Sequence, residues 1–219
     1  MHSQTEENYL KAIYKIAEKS GTKVSTNAIA ERLQTKPASV TDMLKKLADK
    51  QLVDYEKYQG VVLTEKGKYI AVQIIRKHRL WEYFLVNILG FTWDSVHEIA
   101  EELEHINSTL LIDKLDAFLG YPQYDPHGDP IPNHKGEFSS RGAFTLATAN
   151  LHQELLVTGV IDHSTEFLQY LNTIGLGLGT NIVINQFINF DKSLSVVING
   201  KNGIFISHQV AKNLLVIEK

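Results

Sequence analysis

Histidines and carboxylates recur at helical spacing in two stretches of this chain, and together they offer nitrogen and oxygen donors suited to a divalent cation. The stretch VHEIAEELEHIN, residues 96–107, puts His97, Glu101, Glu104 and His105 on one expected helix. His97 and Glu101 are four apart, and Glu101 and His105 repeat that spacing, so they share a face. The earlier RKHRLWE carries His78 and Glu82 at the same interval. Carboxylates crowded on one face repel unless something positive lies among them. Imidazole and carboxylate without thiolate suit manganese(II), iron(II), cobalt(II) or zinc(II). An ordinary solvated helix face fits the same residues, and residue types alone leave both readings open.

Other chemistries are less well served. HEIAE and HRLWE lack the second histidine of a zinc-hydrolase HExxH, and neither a Walker loop nor a GxSxG elbow occurs. GLGLGT, residues 175–180, lacks full GxGxxG spacing and reads as a turn. The chain has no cysteine, which removes disulfides, thiol catalysis and thiolate ligands. MHSQTEENYLKAIY lacks the basic and apolar segments of a signal peptide, and no apolar run is long enough to span a bilayer. A cytoplasmic protein is expected, with no membrane partner and no small organic substrate. With 219 residues and 43% hydrophobic content, the chain can bury a sizeable core, in two or three compact units.

The elements that must position these donors start with a basic segment. Residues 1–76 hold 13 Lys and Arg against 9 Asp and Glu, whereas residues 77–219 hold 9 against 16. A basic front half suits a polyanion and an acidic remainder suits cations. EENYLKAIYKIAEKS has helical periodicity, TNAIAERL is a second short helix, and PASVTDMLKKLADKQ starts a third at Pro37. LVDYEKYQGVVLT then reads as two strands around a turn at Gln59 and Gly60. Three helices and a hairpin make a winged helix-turn-helix. Its third helix would enter a DNA major groove by its N-terminal end, bringing Thr35, Lys36, Pro37, Ala38, Ser39, Thr41 and Asp42 to phosphates or base edges. Lys45, Lys46 and the wing's Lys57 add attraction to the backbone. A solvated lysine face is the alternative.

A long helix is expected from Thr64 to about Leu89, closed by Gly90; a second starts near Thr92, and a third is STLLIDKLDAFLG. Their apolar residues on more than one side predict a homodimer, whose two-fold axis would match a palindromic double-stranded operator. After a polar linker at about residues 132–144, TNIVINQFI and SLSVVINGKNGIFIS alternate as strands of a small barrel, with turns at Asp191 and at Asn199 to Gly203.

These blocks resemble the DtxR/MntR family of metal-dependent transcriptional repressors, in its longer form. The resemblance runs through TEENYLKAIY, IAERL, KPASVTDMLKKLADKQLVDYEKYQGVVLTEKGK, RKHRLWEYFL, VHEIAEELEH and YPQYDPHGDPIP. It implies a mainly α fold with small β elements: a winged helix-turn-helix, a helical dimerisation domain and a C-terminal SH3-like β-barrel related to FeoA. The expected boundaries are 1–75, 76–140 and 145–219. By the same resemblance His78, Glu82 and His97 match family metal ligands, and Glu101, Glu104 and His105 match a second cluster. Glu101 stands where iron-responsive relatives use cysteine, which favours Mn(II) over Fe(II), with other divalent metals able to substitute in vitro. Asp125 and His127 of YDPHGDP stand where some longer relatives place a ligating cysteine and histidine; a Pro- and Gly-rich turn capped by Asp125 is the alternative. Asp162, His163 and Glu166 fall near the ancillary ligands that the C-terminal domain supplies, with a plain helix cap as the alternative.

The chain departs from the family at its N-terminus. Asn8 stands where relatives carry a ligating aspartate or methionine, and Lys11 where the short manganese sensors use glutamate. Asn8 can lend an amide oxygen but no charge, and Glu7 is the nearby carboxylate that could help. The implied function is a repressor of metal-uptake genes whose two reading heads are correctly spaced only when metal is bound. The alternatives are a winged-helix protein with a constitutively filled structural site, and a metal hydrolase.

Overall fold

The computed structural model describes residues 2–21, 23–56, 59–201 and 203–219. They form two compact units, one of Met1–His78, Glu101–Ile112 and Pro132–Glu137, the other of Arg79–Ala100, Asp113–Ile131 and Phe138–Lys219. Among the described residues no helix is long and apolar enough to cross a membrane.

The first unit begins with α1 (Gln4–Ser20), which is capped at both ends. Ser3 and Glu6 form a reciprocal capping box, and Gly21 closes the helix in the left-handed conformation. Next come α2 (Thr26–Arg32), α3 (Pro37–Asp49), β1 (Val53–Glu56) and β2 (Gly60–Leu63). β1 and β2 pair antiparallel, and Val24 bridges to Val61 at the hairpin's edge. Leu10, Ile13, Ile29, Val40, Leu44, Leu47, Leu52 and Val61 form one apolar core under these elements. This is the expected winged helix-turn-helix. The helix α4 (Glu65–Asn87) starts where Thr64 Oγ1 accepts from the Gly67 N–H, 3.1 Å. A Cβ on Gly67 would lie 2.0 Å from the Leu52 carbonyl oxygen, so only glycine lets α4 pass this close to the hairpin.

Two expected helix boundaries differ. α5 runs only from His97 to Leu103. At its start, Thr92 and Ser95 bond each other's side chains and the Thr92 carbonyl, a local pairing that competes with helix. At its end, Glu104 and His105 lie in a turn rather than on the helix, with the Ile106 N–H returning to the Leu103 carbonyl. Ser108 then caps α6 (Thr109–Phe118). Tertiary ties on the buried Glu104 outweigh helix propensity here.

The second unit carries a six-stranded antiparallel sheet: β3 (Phe144–Thr145), β4 (Glu154–Val160), β5 (Asn181–Phe187), β6 (Leu194–Ile198), β7 (Ile204–Ile206) and β8 (Leu214–Glu218). Their order is β3-β8-β4-β5-β6-β7. Two helices accompany it, α7 (Thr165–Thr173) and α8 (His208–Asn213). Leu155, Val157, Leu168, Leu171, Ile182, Ile184, Val196 and Val216 fill the core. β5 and β6 are the strands expected from alternation. β4, at the centre of the sheet, reads ELLVTGV and is buried along most of its length, so no alternation marks it in the sequence.

Candidate metal centre

The segment after α6 is folded tightly by its own polar groups. Asp125 Oδ1 accepts from the backbone N–H groups of His127, 2.8 Å, and Asp129, 3.0 Å. The capping role considered for Asp125 is therefore real, but it uses one carboxylate oxygen and leaves Oδ2, 3.6 Å from Arg79 Nε. Arg79 also donates to Asp129 Oδ2 and the Pro130 carbonyl. The loop docks on β4 through the Val160 N–H, which donates to the His127 carbonyl, 2.9 Å. Gly128 has φ +88°, and a Cβ there would lie 2.1 Å from the Thr158 carbonyl oxygen, so glycine is required at this contact.

These constraints bring Asp125 and His127 to Glu82 of α4. The three side chains are buried, and one donor atom from each lies within 4.8 Å of the others. His127 Nε2–H donates to the Trp93 carbonyl, 2.7 Å, which places a proton on Nε2 and turns Nδ1 inward. Nδ1 is buried without a hydrogen-bond partner and lies 3.6 Å from Glu82 Oε2. His97 Nδ1 sits 3.3 Å from Glu82 Oε1, with half of its side chain exposed. The His127 ring lies between those of Trp93 and His163, with centroids 6.1 and 5.0 Å away.

Asp125 and His127 are both shifted upward in this pocket. Burial, reinforced by Glu82 and Asp129 and opposed by Arg79 and His127, pushes Asp125 up to about 7. Burial disfavours a charged His127, but Glu82, Asp125 and the Trp93 carbonyl outweigh it and hold that ring at about 9. Protons are retained where carboxylates and imidazole crowd together. A divalent ion fits the same need: oxygen and nitrogen donors are converged, an inward nitrogen lacks a partner, and no cysteine sulfur is present. Such an ion would be held by Glu82, Asp125 and His127, with His97 at the rim.

The first unit assembles the other cluster, and there a cation is already in place. Lys11 Nζ lies 2.6 Å from Glu101 Oε1, and 2.8 and 2.6 Å from the two oxygens of Glu104. His78 Nδ1 pairs with Glu104 Oε2 at 2.7 Å, and His105 Nδ1 with Glu7 Oε2 at 2.6 Å. Lys11, Glu7, His78 and Glu104 are all buried. Asn8 Oδ1 is buried without a hydrogen-bond partner.

The C-terminal candidates separate. His163 stacks on His127 and its Nε2 meets the Val160 carbonyl at 3.3 Å. Asp162 Oδ1 instead accepts from the Ser164 N–H, and Glu166 is exposed in the first turn of α7. Sequence reasoning missed Trp93, which acts through a backbone carbonyl that any residue carries, and Arg79, whose partners are 50 residues away. It noted Lys11 as a departure without foreseeing its contacts.

On the reading head, Lys36, Pro37, Ala38, Ser39, Asp42, Lys45 and Lys46 are exposed, while Val40, Leu44 and Leu47 of the same helix are buried. Thr35 and Thr41 are half-buried, and Thr41 Oγ1 donates to the Pro37 carbonyl. Lys57 lies outside the described residues.

Comparison with known proteins matches this division of labour. Residues 1–61 match the iron dependent repressor N-terminal DNA binding domain, 64–133 the iron dependent repressor metal binding and dimerisation domain, and 144–218 the FeoA domain. The HTH-type transcriptional regulator MntR of Oceanobacillus iheyensis is 39% identical over 121 residues, covering 55% of this chain and 81% of that protein. The chain belongs to the iron-dependent repressor family. The iron-dependent repressor IdeR of Mycobacterium leprae is 28% identical over 217 residues, 94% of each chain. A solved manganese-dependent transcriptional repressor in complex with manganese superposes with a TM-score of 0.84 at 36% identity, covering 98% of this chain and 100% of that one. This repressor is a DNA-binding regulator of metal homeostasis and not an enzyme, so the hydrolase alternative falls. Its C-terminal sheet is the SH3-like FeoA domain.

Proposed function

We propose that this chain is a cytoplasmic, manganese(II)-responsive homodimeric repressor of metal-uptake genes, with Glu82, Asp125, His127 and His97 as its ion site and residues 1–75, 76–140 and 145–219 as reader, dimerisation and SH3-like segments. The observation that carries it is the buried, sulfur-free donor set of Glu82, Asp125 and His127, with an imidazole nitrogen that has no hydrogen-bond partner facing Glu82. Carboxylate and imidazole serve manganese(II) and iron(II) alike, and the lack of a cysteine among the candidates supports manganese. Exposed Ile88, Leu89, Phe91, Phe118 and Tyr121 support burial of apolar surface against a second copy.

A bound ion would supply the charge that this pocket otherwise draws from protons. The chain's residues do the rest: Asp125 and Gly128 fix the loop, the Trp93 carbonyl orients His127, and Arg79 ties the loop to α4. Two copies of α3 and the residues before it then present Thr35, Lys36, Pro37, Ala38, Ser39, Thr41, Asp42 and Lys46 to successive major grooves of a palindromic operator. Reversing the binding-competent population from one to ninety-nine per cent needs about 5.5 kcal/mol of preference by the ion for that arrangement. Operator affinity measured by fluorescence anisotropy against buffered free manganese(II) is expected to rise at least about 100-fold. A flat response with the ion bound would replace this reading by a constitutive structural site.

A further inference from the structure

The two clusters draw on the same residue types but differ in what balances their charge. In the first unit, Lys11 faces inward from α1 with 6% of its surface exposed. Its ammonium makes three contacts of 2.6–2.8 Å with Glu101 and Glu104, and Glu104 is fully buried. An ammonium has three N–H groups, so its donor capacity is spent on these two carboxylates. Glu7 is bonded to His105, and the Lys77 ammonium lies within electrostatic reach of both Glu7 and Glu104.

A divalent ion bound to Glu101 and Glu104 would need their oxygens at about 2.0–2.2 Å. It would then share the space between those carboxylates with the Lys11 nitrogen, and two positive centres that close repel strongly in a buried site. An ion can enter only if Lys11 withdraws, and α1 anchors it there through a capping box and a buried apolar face. Asn8 works in the same direction, because its amide brings no negative charge toward offsetting a second cation.

We propose that Lys11 is the resident cation of the Glu101–Glu104 cluster, so that each chain takes up one divalent ion, at Glu82, Asp125 and His127, rather than one at each cluster. This rests on the ion site proposed above. It divides the two clusters by role: one responds to metal, and the other joins α1 to the turn after α5 by an ion pair independent of metal.

The test counts ions on the full chain by equilibrium dialysis against manganese(II), with the free ion followed by electron paramagnetic resonance. The wild-type chain is expected to hold one ion, to keep it in Glu104→Gln, and to lose it in Glu82→Gln. Lys11→Glu, which exchanges the ammonium for a carboxylate, is expected to hold two once circular dichroism shows it folded; one ion in folded Lys11→Glu counts against the proposal. If Lys11→Glu does not fold, the Glu104→Gln count decides. Two ions on the wild type with one lost in Glu104→Gln would overturn the proposal, as would a single ion lost in Glu104→Gln. Neither result touches the sensor reading, which fails separately if operator affinity ignores manganese while an ion is bound.

Discussion

The cluster at Lys11 and the cluster at His127 show that chemically equivalent donor sets take opposite meanings from their neighbours. At Lys11, both oxygens of a fully buried glutamate meet an ammonium, and the nearby imidazoles are paired with carboxylates. At His127, one imidazole nitrogen is held by a backbone carbonyl and the other, with no hydrogen-bond partner, faces a buried carboxylate at 3.6 Å. A closed set of charges stabilises a fold, whereas an open one invites a ligand. The separation of the two is set by which cation the chain itself can deliver.

The comparison can be broken most forcefully at Lys11. Lys11→Ala leaves Glu104 buried beside Glu101 without its cation, and should cost about 3–5 kcal/mol in denaturant unfolding; a loss below about 1 kcal/mol would show that the ion pair does not hold this unit. At the other cluster, Glu82→Gln keeps the volume and removes the charge. Manganese affinity measured by competition with a fluorescent chelator should fall about 100-fold, with little change in unfolding of the metal-free chain. Asp125→Asn retains an oxygen to cap His127 and Asp129 but loses the carboxylate charge, so affinity should fall about tenfold with the loop intact. An unchanged affinity would mean that Asp125 only caps. The smallest effect belongs to the reading head, where Lys46→Ala should weaken operator binding across sequences and lower the salt slope by about one. An unaltered slope would place Lys46 away from phosphate.

Much of this was legible in the residues. The periodicity of α1, α2 and α3 and the hairpin at Gly60 follow from side-chain pattern and turn chemistry alone, as does the start of α4 at Thr64. Less was legible where backbone groups or distant partners decide. The helix expected across residues 96–107 stops at Leu103, because buried contacts of Glu104 with α1 and α4 outweigh local preference. β4 escaped notice because a strand buried along most of its length shows no alternation. Of Asp162, His163 and Glu166, which share one segment, only His163 stacks on the His127 ring, while Asp162 caps the backbone.

By itself, the sequence determined the kinds of donor available, the absence of thiolate, and the winged helix-turn-helix, since these depend on composition and on periodicities within a few residues. Only the tertiary structure decided which donors meet and which cation each set receives. Lys11 reaches Glu104 across 93 residues and Asp125 comes beside Glu82 through a loop docked on a central strand. Charge balance in a buried site depends on distances of a few ångströms, and spacing along a chain does not encode them.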